Sequence, residues 1–164
     1  MKRAFLTLII LFLSATPVFA HGGISKLPDS VQIMQYKMKL YINADDVDSM
    51  NNLAMAYFRT NQLEEAKKQL LSVLEKDANN FNALDGMGII LLKEGKPKEA
   101  LEYLQKARQI NDKDLLLRVH LALAHEKLNQ HDLAKREMQE ARSMATTPED
   151  QAMIEKEIKL ITNS

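Results

Sequence analysis

Side-chain size and polarity recur along this chain with a step of 34 residues. Small residues return at Ala54, Gly88 and Ala122, and again at Ala66, Ala100 and Ala134. Larger apolar residues occupy two further columns, Leu53/Met87/Leu121 and Leu70/Leu104/Met138, and Val73, Ala107 and Ala141 close the series. Asn61, Gly95 and Asn129 keep the same step and mark turns, because Gly and Asn adopt left-handed backbone at little cost. Each copy therefore predicts two helices joined by a turn. The small columns let paired helices approach, and the larger ones fill the space between successive pairs. One helix pair cannot bury its apolar face alone, so about three must stack. The copies 47–80, 81–114 and 115–148 thus predict an all-α domain built by stacking.

The flanks continue the pattern. Pro28 to Ile42 predicts one helix that opens on proline and carries Val31, Met34, Met38 and Ile42 along one face. Asn43-Ala44-Asp45-Asp46 follows it, one period before Asp77-Ala78-Asn79-Asn80, which makes this helix the second half of a truncated repeat. Thr147-Pro148-Glu149-Asp150 combines an N-cap, a first-turn proline and early acids. It predicts a helix over 148–161 whose polar face suits a terminal cap.

The copies resemble tetratricopeptide repeats, whose helix-turn-helix unit is 34 residues long. The first carries Asn52-Leu53-Ala54-x-Ala56-Tyr57, Asn61-Gln62 and Leu63-Glu64-Glu65-Ala66. The second offers Gly86-Met87-Gly88, Glu94-Gly95 and Lys98-Glu99-Ala100-Leu101, and the third Leu121-Ala122-x-Ala124-His125 and Asp132-Leu133-Ala134. The family's first-helix Trp is replaced by Met50, Leu84 and Arg118, and its Tyr survives as Tyr57 but becomes Leu91 and His125. The closing Pro gives way to Ala78, Asp112 and Thr146, and the third copy diverges most. The resemblance implies a helical solenoid over 28–162 and a protein-binding function without catalysis.

The first twenty residues read differently from the rest. Lys2 and Arg3 precede an apolar run from Ala4 to Leu13, and Val18-Phe19-Ala20 places small residues at −3 and −1 of a cleavage site. That is the pattern of a secretory signal peptide, and ten apolar residues fall short of the ~20 a spanning helix needs. The expectation is cleavage after Ala20, a periplasmic or secreted mature chain without stable membrane insertion, and a flexible leader over 21–27. Without cysteine, the chain has no disulfide, no thiol nucleophile and no haem-attachment motif. Basic and acidic residues balance at 22 each, so no basic excess is available to neutralise phosphates and nucleic acid is not an expected partner.

Candidate chemistry is sparse. His120 and His125 stand five apart, off the spacing that puts two ligands on one helix face, and His131 falls in a predicted turn. They are expected to be solvent-facing or semi-buried without a chemical role. His21 would become the mature N-terminus, and a terminal amine with imidazole can chelate copper, but nothing in the sequence fixes a second ligand. The nine methionines fit core filling and adaptable contact surface. Gly86-x-Gly88 lacks the third glycine and the strand of a nucleotide site. No cofactor and no metal are expected.

In tetratricopeptide proteins the first helix of each pair lines the concave, ligand-holding face. Carried over by alignment, the resemblance implies groove positions Asn51, Asn52, Met55, Phe58 and Arg59 in the first copy. The second contributes Asn82, Asp85, Ile89, Leu92 and Lys93. The third contributes Val119, His120, Leu123, Glu126 and Lys127. Positions that carry cations in carboxylate-gripping relatives hold Asn51, Leu116 and His120, so no cationic clamp is expected. The apolar members imply a channel for a client's amphipathic helix or apolar peptide. The alternative is that these residues are covered by the terminal helices or by a second copy of the chain, making a homo-oligomer.

Overall fold

The computed structural model describes residues 27–162. The expected signal segment 1–20, the leader up to residue 26 and His21 lie outside them. Among the described residues there are eight helices and no strand. They are α1 (Asp29–Ile42), α2 (Val47–Arg59), α3 (Leu63–Lys76), α4 (Phe81–Lys93), α5 (Pro97–Ile110), α6 (Leu115–Lys127), α7 (His131–Met144) and α8 (Pro148–Thr162). Each 34-residue copy holds one pair: α2 with α3, α4 with α5, α6 with α7. Second helices pack on the next first helix, and α2, α4 and α6 also touch one another in series.

Helix starts repeat as regularly as the core. Asp46, Asn80 and Asp114 are the N-caps of α2, α4 and α6, and their side chains accept the N–H of Ser49, Ala83 and Leu117 at 3.1, 3.1 and 2.9 Å. Each such cap contributes about 1 kcal/mol, so an Asp or Asn at a 34-residue step fixes where all three first helices begin. They end equally alike. Asn61, Gly95 and Asn129 have φ of 60°, 75° and 57°. The next N–H, on Gln62, Lys96 or Gln130, then reaches back to the carbonyl of Tyr57, Leu91 or His125 at 2.8–2.9 Å. This left-handed stop satisfies carbonyls that a helix end would otherwise leave open.

The predicted close approach is present. Ala54, Ala66 and Ala100 are fully buried, and so are Leu70 and Leu104. Gly88 is the tightest point: a Cβ there would stand 2.4 Å from Cδ2 and 2.5 Å from Cγ of Leu104.

The divergent third copy keeps its fold by exchanging apolar contacts for polar ones. Arg118, at the family's Trp position, reaches Glu137 at 2.8 Å and Glu140 at 3.1 Å and donates to the carbonyl of Asp112 at 2.9 Å. Arg108 holds the other oxygen of Glu137 at 3.1 Å, which joins α5, α6 and α7. His125, at the Tyr position, lies buried with Nδ1 2.7 Å from Oε1 of Gln130 in the following turn.

The terminal helices run where expected, but α1 buries a different face from the one its spacing predicts. In α1 the buried residues are Gln32 and Tyr36, supported by Ile33 and Leu40. The expected apolar face is largely in solvent: Met34 and Met38 are each more than half exposed, Ile42 is 81% exposed, and Tyr41 beside them is 91% exposed. The reason lies in the truncation. A second helix has one face for the next repeat and one for its own first helix, and among the described residues no helix fills that second place. Arg59 fastens the start of α1, donating to Asp29 at 2.7 Å and Gln32 at 3.0 Å. At the other end, α8 does not simply cap the stack. It lies across α6 and α4.

Candidate functional site

Because α2, α4 and α6 run side by side, their shared outer rows form one face, and the groove residues expected from sequence fall on it in two groups. Between α2 and α4 the face opens into a cleft lined by Asp48, Asn51, Asn52, Met55, Asn82, Asp85 and Gly86. Asn52 and Asn82 are exposed there, Met55 and Asp85 half-buried. Asn51 is buried and braces the next repeat: its Nδ2 donates at 3.2 Å to Oδ1 of Asn80, the oxygen that caps α4. The Oδ1 of Asn51 is buried without a partner.

The second group is covered. Phe58, Ile89, Leu92 and Val119 are buried, so the apolar channel expected along these positions is not open while α8 is seated. Ile154 of α8 joins Val119 and Leu123 in one apolar cluster, and Ile161 enters the main core with Phe58, Ile89 and Leu92. Arg59 is engaged by α1, and Nζ of Lys93 donates to the carbonyl of Leu160 at 2.9 Å. The far exit of the face is basic: Arg59, Lys93, Lys156 and Lys159 surround an open cleft, with Asp29 and Leu160 completing it. Glu126 and Lys127 are exposed.

At the centre sits a residue for which the sequence predicted no chemical role. His120 of α6 is 2% exposed, with Nδ1 2.7 Å from Oδ1 of Asp85 on α4 and Nε2 3.4 Å from Oε1 of Glu157 on α8. Burial draws the imidazole towards its neutral form, but the negative charges of Asp85 and Glu157 and the hydrogen bond to Asp85 outweigh it and push the pKa up to about 10. His120 is therefore a buried cation at neutral pH. The face does carry a positive centre where none was expected, and a carboxylate of this chain already occupies it. The contact to Glu157 is an ion pair, too long for a full hydrogen bond, and Nε2 otherwise has no partner.

The two carboxylates approach opposite nitrogens of one ring and do not converge on a common point. Among the described residues no group of three or more His, Asp or Glu is placed to hold a metal ion, and no helix is long and apolar enough to cross a membrane.

Sequence profiles of the tetratricopeptide repeat match residues 47–76 and 91–155. No curated protein matches the sequence. Among solved structures, a thermophilic tetratricopeptide protein of Thermus thermophilus superimposes with a TM-score of 0.68 at 15% identity, covering 82% of this chain and 75% of that one. The type III secretion translocator chaperone SycD of Yersinia enterocolitica gives 0.62 at 16% identity, covering 73% of this chain and 92% of that one. MamA AMB-1 gives 0.55 at 20% identity; it covers 68% of this chain, which spans just 66% of MamA's length. At these identities the likeness concerns the fold alone.

Proposed function

The chain belongs to the tetratricopeptide repeat family of interaction scaffolds, and we propose that it is an adaptor or assembly factor that binds a client protein along the face shared by α2, α4 and α6. One observation carries this: the face already holds an amphipathic helix, α8, through Ile154, Ile161 and the Glu157–His120 ion pair. Open beside it is a cleft rimmed by Asn52 and Asn82, whose amides suit an extended segment continuing from a docked helix. The pattern of residues 1–20 supports a site of action beyond the cytoplasm, in the periplasm or outside the cell. SycD, described as a chaperone of a secretion translocator, gives an example of this fold serving another protein.

A photo-cross-linking residue at Asn52 or Asn82 should trap the client in cells, and one at Glu102 on the exposed side of α5 should not. Adducts formed only at Glu102 would place the client on the wrong face.

Self-association is a second function, favoured by the unpartnered stripe of Met34, Met38, Tyr41 and Ile42 on α1. Sedimentation over a wide concentration range should then show a dimer that Tyr41→Asp dissociates by at least tenfold in Kd. A monomer throughout the range would exclude it.

A further inference from the structure

We propose that α8 is a displaceable occupant of the groove over α4 and α6, and that the client presents an amphipathic helix of the same design. That design places aliphatic residues at positions i, i+4 and i+7 with a carboxylate at i+3. The proposal rests on reading this face as the client site and names the ligand it takes.

The pattern is that of α8 itself. Ile154, Ile158 and Ile161 lie on its docked side, and Glu157 stands between them over His120. Only Ile154 and Ile161 are fully buried, and Met153 remains 40% exposed. A cleft between α7 and α8, lined by Arg142, Gln151 and Glu155 among others, runs beneath the docked edge. Such an interface is thin compared with α4, most of whose residues are buried.

The start of α8 is self-sufficient. The Thr147 Oγ1 accepts the N–H of Asp150 at 3.1 Å, while Oδ2 of Asp150 accepts the N–H groups of Thr146 and Thr147 at 3.1 and 3.0 Å. These bonds lie within the helix and its own leading turn, so undocking α8 breaks none of them. What undocking does leave behind is the cation of His120. Its Nε2 is buried and aimed at the groove, and Glu157 approaches only to 3.4 Å. A client carboxylate about 0.5 Å closer would make the hydrogen bond that α8 leaves incomplete, a gain in discrimination that needs no additional apolar area.

The test uses the full chain with a fluorescent peptide of residues 147–162, followed by anisotropy. Ile161→Ser in the chain weakens the resident helix, so the peptide should bind at least tenfold more tightly than to wild type. Replacing the peptide's Glu157 by Gln should then weaken its binding to that variant about tenfold. Hydrogen exchange on the unaltered protein gives an independent reading: α8 amides should exchange at least a hundredfold faster than those of α4 and α6. Equal peptide affinity for wild type and Ile161→Ser would overturn the proposal. So would α8 exchanging only as fast as α4 and α6, since the helix would then open only with global unfolding. If α8 proves fixed while Asn52 and Asn82 still trap a client, only this inference fails. If α8 exchanges with the peptide but no client is trapped at those positions, the client-binding function fails instead.

Discussion

Replacing His120 by alanine should lower the stability of the fold by about 3 kcal/mol, because it removes the one cation between two largely buried carboxylates. Asp85 and Glu157 come from different helices and meet through the imidazole. Without it α4 and α8 face each other with uncompensated charge. Urea denaturation of wild type and His120→Ala reads the loss as a shift in midpoint at unchanged slope. The pH dependence has a defined sign. The folded pKa is raised from 6.5 to about 10, so the folded state binds the proton more tightly than the unfolded chain. His120's contribution is complete below about pH 6.5 and is lost as pH rises through about 10. The difference between wild type and variant should therefore narrow steadily from pH 7 to pH 10. A difference that stays constant over that range would show that the imidazole acts by packing and not by charge.

The second large effect concerns the α4–α5 crossing. Alanine in place of glycine ordinarily stabilises a helix interior by roughly 1 kcal/mol. At Gly88 the sign should reverse, with a net loss of about 2 kcal/mol. The added methyl would meet Leu104 at its branching carbon, an atom that cannot swing aside in a fully buried side chain. Leu104→Ala alone should cost about 3 kcal/mol through the cavity it leaves. Combined, the two changes should cost clearly less than their sum, because the new methyl enters space the leucine vacated. Strict additivity in thermal or urea unfolding would mean that the two helices already stand further apart than this contact requires.

The repeat was legible because each unit solves the same packing problem with the same residue sizes. The columns at 54/88/122 and 66/100/134 and the left-handed turns at 61/95/129 were read from spacing alone. The caps at 46/80/114 obey the same step and could have been found the same way. What spacing could not show is where non-repeating elements go. Met34, Met38 and Ile42 have the spacing of a buried stripe, yet burial needs a neighbouring surface, and α1 has one on a single side. Helix α8 is amphipathic wherever it docks, so its pattern is equally consistent with capping the stack or crossing the groove. Phe58, Ile89, Leu92 and Val119 were placed on the ligand face by alignment, and that same face is what α8 covers. His120 was placed on the groove face, but its buried ion pairs could not be read because its partners lie 35 and 37 residues away on other helices. Neither separation is a recognisable motif.

The crossing of α8 also changes the topology of folding. A stack in which each pair touches only its neighbours has short-range contacts and can fray from either end. The bond from Lys93 to Leu160 joins residues 67 positions apart and closes a loop around the third repeat. That repeat, the one whose core relies most on ion pairs, is thereby enclosed and cannot melt as a free end while α8 is in place. A client helix that takes the place of α8 would inherit this duty, so occupancy of the groove and integrity of the third repeat would rise and fall together.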